Sequence, residues 1–311
     1  MARANDTPNA PSTPSPLWLA YLGLVLTPLF WAGNAVVAKG TVGEIPPMSM
    51  SFWRWIIALC ILLPFGLPGL LRHRETIRQH WRSILALATF SVGAFNSLLY
   101  LAALTTSATN IALINATIPI IVALLAWLIL GDRTRPIQAL GIALAIAGIV
   151  TVVAKGKLAT LTGLQAHPGD LIMVLAVSSW GLFSVLLRRQ SVPLPALTFL
   201  TAQIAFGAMV ILPFYLVDLL FISGGFEVSE STIPPMLYVA IFPGIMAYSF
   251  WNHGVHRIGP SKAAIFMYLT PMYAAVLAGL FLGERLSGFH LVGGSLILLG
   301  LILATQARQK V

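Results

Sequence analysis

The sequence contains very little charge. Only 9% of its 311 residues are Asp, Glu, Lys or Arg, whereas 58% are hydrophobic and the mean hydropathy is +0.89. Soluble domains carry about 25% charged residues, so this chain has too little polar surface to cover a water-facing exterior. The composition therefore excludes a soluble fold and predicts an integral membrane protein.

Cysteine is also scarce, and acidic residues are missing from the middle of the apolar runs. The single cysteine, Cys60, lies in an apolar run, which excludes a disulfide framework and a thiolate metal site. All nine acidic residues fall in tails, loops or helix ends: Asp6, Glu44, Glu75, Asp132, Asp170, Asp218, Glu227, Glu230 and Glu284. A carboxylate proton relay or a sodium site therefore has no candidate in the middle of the membrane.

The sequence offers no catalytic or metal-binding constellation. Intramembrane hydrolases and metalloenzymes need an activated nucleophile or a ligand cluster within reach. Four histidines fall in predicted loops or at helix ends: His73, His80, His167 and His290. His253 and His256 are close together in one apolar segment, but no Asp, Glu or Cys accompanies them at ligand spacing. We predict that the protein is no enzyme and has neither a metal nor a cofactor.

Long apolar runs, by contrast, fill the chain. Most reach the ~20 residues that a helix needs to cross ~30 Å of hydrocarbon. We place ten spans at about 17–38, 48–70, 83–103, 109–130, 136–153, 169–187, 196–221, 233–253, 262–282 and 288–306. Residues 1–16 are rich in Pro, Asn, Ser and Thr, which predicts a flexible tail and not a signal peptide.

The positions of Lys and Arg predict the orientation. The net charge of +9 lies in short turns between apolar runs, as membrane topology requires, and forms no patch suited to nucleic acid. With a cytoplasmic N-terminus, thirteen basic residues fall in inward tails and loops and four in outward loops. The longest outward loop, near 222–232, carries Glu227 and Glu230 and no base. Both termini are predicted to be cytoplasmic.

The stretch from Pro119 to Gly148 recurs from Pro271 to Gly300 without a gap. Eleven of the thirty aligned positions are identical, including both prolines, two glycine pairs and the Gly-acid-Arg turns. Each copy reads as a helical hairpin: an apolar run, a short charged turn and a second apolar run. Because apolar sequence matches itself by chance, the paired Pro, Gly and charged positions carry the argument, and they indicate a duplication.

The duplication extends over the whole chain beyond the tail. Trp31, Lys39, Pro46 and Pro64 match residues 149 positions later: Trp180, Arg188, Pro195 and Pro213. The sequence therefore predicts two repeats of five helices, 17–158 and 159–311, which form one transport domain around a central cavity. An odd number of helices forces the second repeat to enter the membrane from the opposite side, so the repeats are inverted.

The prolines of the repeat predict matched interruptions. Pro119 and Pro271 each lack an N–H and free the carbonyl four residues earlier, at Asn115 and Met267. Such a carbonyl must find another partner in a bilayer. Two interpretations stay open: a packing kink satisfied by a neighbouring helix, or a kink that lines a central cavity.

Polar and aromatic residues recur on corresponding helices of the two repeats. Amide and phenol groups are costly against lipid, so these faces are expected to point inward. We predict a substrate-binding lining made of Trp31, Asn34, Asn96, Tyr100, Asn115, Trp180, Phe183, Tyr248, Asn252 and Tyr268. The alternative for any single aromatic residue is an anchor at the membrane interface.

Arg54 is the only charged residue deep within a predicted span. A mid-membrane arginine costs about 3 kcal/mol or more without a partner. It could bind a carboxylate or pair with backbone carbonyls of a broken helix. Lys262 opens the ninth span, where it sets topology or contacts an anion.

The chain resembles the EamA-type drug/metabolite transporter superfamily. The resemblance rests on the tandem ten-helix duplication, the segment FWAGNAVVAKG and the two hairpins with LGDR and LGER turns. Within that superfamily it is most similar to the YddG-type exporters of aromatic and other neutral amino acids. The resemblance implies a bacterial inner-membrane exporter with a central cavity built from both halves. Asp132 stands where the family usually has Glu.

The substrate follows from the resemblance alone, and several alternatives stay open. They are a carrier of another small organic solute or drug, a channel, and a proton antiporter that uses His253 and His256. Because the membrane interior has no acidic group, we expect facilitated diffusion of a zwitterionic amino acid. The expected partners are the solute and the lipid bilayer, and the protein is expected to act as a monomer.

Overall fold

The computed structural model describes residues 16–41, 43–106, 108–154, 156, 167–282 and 288–306. The predicted tail, except for Pro16, lies outside these residues, as does the charged turn of the second hairpin with Glu284 and Arg285. Other charged residues used for the orientation lie outside them as well: Arg3, Lys155, Lys157, Arg308 and Lys310.

Within the described residues, all regular structure is helical. It forms ten consecutive segments: α1, Leu17–Gly40; α2, Pro47–Arg72; α3, Arg74–Ala88, Thr89–Phe95 and Asn96–Ala103; α4, Ala108–Asn115 and Ile118–Leu130; α5, Pro136–Val153; α6, Pro168–Arg189; α7, Ala196–Asp218 and Leu219–Ser223; α8, Ile233–Val239, Ala240–Met246 and Ala247–Ile258; α9, Pro260–Ile265, Phe266–Leu269 and Thr270–Leu282; and α10, Gly288–Gln306. By length and composition, nine of these described segments, all except α9, could cross a membrane. The predicted all-α multi-pass membrane fold is confirmed.

α3 begins at Arg74, earlier than the predicted start near residue 83. Its first turns carry exposed charge, including an Arg78–Glu75 pair at 3.3 Å. Hydropathy locates the apolar part of a helix, whereas Arg, Glu and Gln are good helix formers and continue it into water. His80 therefore lies within a helix and not in a loop.

The helices that carry Pro119 and Pro271 are both irregular just before the proline. α4 stops at Asn115 and restarts at Ile118, and α9 passes through a 3₁₀ turn, Phe266–Leu269, before it restarts at Thr270. Pro119 and Pro271 are each the second residue of the restarted piece. Proline is tolerated there because the first turn of a helix needs no N–H donor.

α3 and α8 also contain matched π-helical stretches. They begin at residues 89 and 240, which are 151 positions apart, and each is seven residues long. In a π-helix the backbone hydrogen bonds join residues five apart and not four. The apolar pattern gives no sign of these stretches, and the sequence did not predict them.

The two halves meet along α5 and α10 at facing glycines. A Cβ on Gly148 would lie 2.5 Å from the Gly293 carbonyl oxygen, and a Cβ on Gly293 would lie 2.7 Å from that of Gly148. Gly141 and Gly300 face each other in the same way. In the repeat, Gly141 corresponds to Gly293 and Gly148 to Gly300. Exchange of the halves therefore maps one contact onto the other, as a pseudo-twofold axis requires.

A polar contact joins the halves at one end of the bundle. We call the end where α1 begins the near end and the opposite end, which carries residues 224–232, the far end. At the far end the Asp170 carboxylate of α6 accepts hydrogen bonds from the Thr106 hydroxyl and, at 2.9 Å, from the Asn110 amide. It also accepts the backbone N–H of His167 at 2.9 Å, which caps α6.

Candidate functional site

Aromatic rings from five helices pack against one another between the two halves. Trp180 of α6 is 1% exposed and forms the centre of this packing. Its ring centroid lies 5.0–5.6 Å from those of Trp31, Phe95, Phe183, Tyr248 and Trp251. Trp55 of α2 packs against Tyr248, with the two ring centroids 4.9 Å apart. We call these seven residues the aromatic cluster, and each such ring pair adds about 0.5–1.5 kcal/mol beyond its burial.

The π-helical stretches present backbone oxygens to this cluster. The Tyr248 hydroxyl donates to the Ser91 carbonyl at 3.0 Å, within the π stretch of α3. On α8, the carbonyl of Pro243 accepts the Trp31 indole N–H at 3.4 Å. Side chains of neighbouring helices therefore pair with carbonyls in both π stretches. Both halves use the same device to hold an aromatic residue of the other half.

A chain of hydrogen bonds runs beside the cluster from α8 through α7 to α3. The Asn252 amide donates to the Gln203 side-chain oxygen at 3.0 Å, and the Gln203 amide donates to the Ser91 hydroxyl at 2.9 Å. Ser91 in turn donates to the Leu87 carbonyl at 2.6 Å. The Asn252 amide is therefore held in place by its hydrogen bond to Gln203.

Many buried polar atoms around the cluster have no hydrogen-bond partner among the described residues. Six of the ten predicted lining residues carry one: Asn34, Tyr100, Asn115, Trp180, Asn252 and Tyr268. The indole N–H groups of Trp55 and Trp251 also lack a hydrogen-bond partner among the described residues. An unsatisfied buried group costs about 1–3 kcal/mol, so this concentration of donors and acceptors favours water or a polar solute between the halves.

The predicted residues do not all lie in the aromatic cluster. Trp31, Trp180, Phe183 and Tyr248 belong to it. The other six lie outside it: Asn34 one turn after Trp31 on α1, Asn96 directly after Phe95 on α3, Tyr100 among Ile45, Met50, Met236 and Val239, Asn115 at the end of the first piece of α4, Asn252 one turn after Tyr248 on α8, and Tyr268 in the 3₁₀ turn of α9. Pro119 is buried and Pro271 half-buried.

Arg54 of α2 lies against the cluster and has no acidic partner in the described part of the chain. It is 1% exposed, and its guanidinium carbon lies 4.8 Å from the centre of the Trp55 ring. Its Nε and Nη1 atoms have no hydrogen-bond partner among the described residues, so neither pairs with a backbone carbonyl there. Arg54 is also close enough to Tyr248 to interact with it electrostatically.

A cavity of about 400 Å³ lies beside the cluster at the far end. Its lining is largely apolar and comes from α2, α7, α8 and the 224–232 segment. Ile57 and Met236 belong both to this lining and to the group that surrounds Tyr100. These two side chains therefore form the wall between the cavity and the neighbourhood of Tyr100.

Sequence reasoning missed several residues that the structure places in or beside the site. Gln203 is the only amide in the apolar run of α7, and that isolation is a signal that could have revealed it. Trp251 lies three residues after Tyr248, on the same helical face. Trp55 could not be found in this way, because nothing in the pattern of α2 separates it from the more exposed Trp53.

Both halves of the chain match one family of membrane proteins. The EamA-like transporter family matches residues 18–154 and again residues 167–306. The chain belongs to the EamA-like transporter family. Proteins similar to it are named as transporters, so it is a small-solute membrane transporter and not an enzyme.

Individual relatives of this EamA-like transporter agree with the assignment. The transporter YyaM of Bacillus subtilis is 30% identical over 290 residues, which cover 92% of this chain and 93% of YyaM. A probable amino-acid metabolite efflux pump of Salmonella typhimurium is 30% identical over 186 residues, or 56% of this chain and 60% of the pump. A solved crystal structure superposes with a TM-score of 0.76 over 92% of this chain and 96% of its own, at 20% identity, which supports the fold alone.

Proposed function

We propose that this transporter exports small amphipathic metabolites, principally aromatic and other neutral amino acids, across a bacterial inner membrane. In this proposal, alternating access between the two inverted halves moves the solute by facilitated diffusion. The observation that carries the proposal is the aromatic cluster with unpartnered donors and acceptors around it. Flat apolar rings and a few polar groups are a suitable lining for a solute with one apolar and one polar part.

The relatives support the class of substrate. One of them is named a probable amino-acid metabolite efflux pump, and YyaM and that pump both come from bacteria. The polar groups around the aromatic cluster that could contact the solute are neutral side chains and Arg54.

Counterflow in proteoliposomes tests the proposal. Vesicles loaded with unlabelled phenylalanine should accumulate labelled phenylalanine, tryptophan and leucine, whereas labelled aspartate and lysine should not accumulate. A carrier shows counterflow and an open channel does not, so the same measurement separates those two classes. Counterflow of another metabolite together with none of the neutral amino acids would contradict the proposed substrate.

A proton antiporter is the second candidate, and His253 and His256 are its titratable groups. Both are half-buried near the near end of α8, and their charged neighbours include Arg188 and Arg257. The Arg188 guanidinium donates to the His256 carbonyl. We expect that a pH gradient imposed on loaded vesicles, with the membrane potential clamped, drives no accumulation. Accumulation that His253→Gln or His256→Gln abolishes would establish the antiporter instead.

A further inference from the structure

We propose that Arg54 binds the carboxylate of the transported solute, which makes an anionic carboxyl group a requirement for recognition. The inference rests on the proposed function, because it names the contact that an amino acid would make in the same site. Its basis is a charged side chain that is 1% exposed and lacks hydrogen-bond partners at two of its nitrogen atoms.

A buried guanidinium without an acidic partner is unfavourable, and the described residues supply none. The Arg78–Glu75 ion pair lies on the exposed start of α3, away from Arg54 on α2. The Trp55 ring contacts the guanidinium at 4.8 Å and contributes a cation–π interaction. That contact leaves the N–H groups unsatisfied, because a ring face accepts no conventional hydrogen bond from the Nε and Nη1 edges.

The unpartnered atoms of Arg54 fit a carboxylate. A guanidinium presents two edges that can each donate two parallel hydrogen bonds to a carboxylate. One edge contains Nε and the other contains Nη1, and both of these atoms lack a partner among the described residues. A carboxylate on either edge therefore satisfies an orphaned donor and neutralises the buried charge.

The position of Arg54 joins this contact to the aromatic cluster. Trp55, which lies against the guanidinium, is itself a member of the cluster through Tyr248. An amino acid with its carboxylate on Arg54 can thus place an apolar side chain against the rings.

Competition with analogues of phenylalanine that keep only its carboxylate or only its ammonium group tests the inference. In wild-type proteoliposomes, 3-phenylpropionate should inhibit phenylalanine counterflow at a concentration at least about tenfold lower than phenethylamine does, because a charge-assisted hydrogen bond is among the stronger ones. Arg54→Gln should raise the half-saturation for phenylalanine by about tenfold or more and remove this preference. The matched control is Arg82→Gln, because Arg82 also lies over a tryptophan, Trp81 at 5.5 Å, but is exposed.

The outcomes separate the two proposals. Equal inhibition by the acid and the amine in the wild type overturns the inference, as does an Arg54→Gln variant that transports phenylalanine and keeps the preference. Thermal-shift measurements on the purified wild type, with each analogue added, decide the matter without any variant if Arg54→Gln does not fold. Stabilisation by 3-phenylpropionate alone, together with no amino-acid counterflow, would sustain the role of Arg54 and reject the proposed substrates.

Discussion

At the scale of single residues, the Trp180 indole combines packing with an unused donor. Its ring contacts five other aromatic residues, and its N–H has no partner among the described residues. Trp180→Phe keeps most of the packing and removes the donor. We expect the variant to fold and its half-saturation for substrate to rise about two- to tenfold, the effect of one hydrogen bond.

Counterflow at several substrate concentrations measures the effect of Trp180→Phe. Trp127→Phe is the control, because Trp127 lies on α4 with half of its surface exposed. An unchanged half-saturation in a well-folded Trp180→Phe protein would show that the indole N–H does not contact the solute.

Gln203 joins three helices through a side chain that is completely buried. Gln203→Leu would leave the Asn252 amide without its partner and would remove the bond that the Ser91 hydroxyl accepts, while Ser91 keeps its bond to the Leu87 carbonyl. We expect a loss of about 1–3 kcal/mol for each group that stays unsatisfied, measured as a lower melting temperature in detergent. Ser249→Ala, on the exposed face of α8, removes only a bond to its own helix at 2.8 Å and should leave the temperature unchanged.

Sequence reasoning identified only some of the residues of the site. The repeat identified Trp31 with Trp180, and the cost of polar groups against lipid identified Asn96 and Asn252. The same rule applies to Gln203, and the 149-residue offset pairs it with Arg54, the isolated polar residue of α2, so the repeat carried a signal for it. Which ring meets which ring depends on helix rotation, and the evenly apolar sequence of these helices does not fix that rotation.

At the scale of whole helices, the α5–α10 contact depends on glycine. A methyl group on Gly148 would press against the Gly293 carbonyl oxygen, and backbone cannot move aside as a flexible side chain does. We expect Gly148→Ala to cost about 1–3 kcal/mol or more, seen as a lower melting temperature. Gly288→Ala on α10 is the control, because its added methyl group would meet nothing within 4 Å. Equal melting temperatures for the two variants would contradict close packing here.

Proline and hydropathy predicted where the helices lie and where they are interrupted better than they predicted the geometry inside each helix. The interruptions of α4 and α9 follow from a residue that cannot donate a backbone hydrogen bond. The π stretch of α8 contains Pro243, which also lacks a backbone N–H, whereas the π stretch of α3 contains no proline and has no comparable cause in the sequence. Their matching positions in the two halves could be recognised only once the backbone was known.

At the scale of the whole molecule, the orientation is the first property to test. We expect a cysteine at Glu227 to react with a membrane-impermeant maleimide in intact cells and a cysteine at Glu75 to react only after lysis. The background for both is Cys60→Ser, and both positions are exposed at opposite ends of the bundle. The opposite labelling pattern would reverse the orientation predicted from the charge bias.

The glycine contact also bears on how such a chain could arise. Gly141 meets Gly300 and Gly148 meets Gly293, while Gly141 corresponds to Gly293 and Gly148 to Gly300. Such a surface is isologous: two identical chains can form it when each supplies both of its glycines. A five-helix ancestor inserted in both orientations could therefore have assembled as an antiparallel homodimer through this surface. Gene fusion would then have needed no new interface, only a connection between two chains that already fitted.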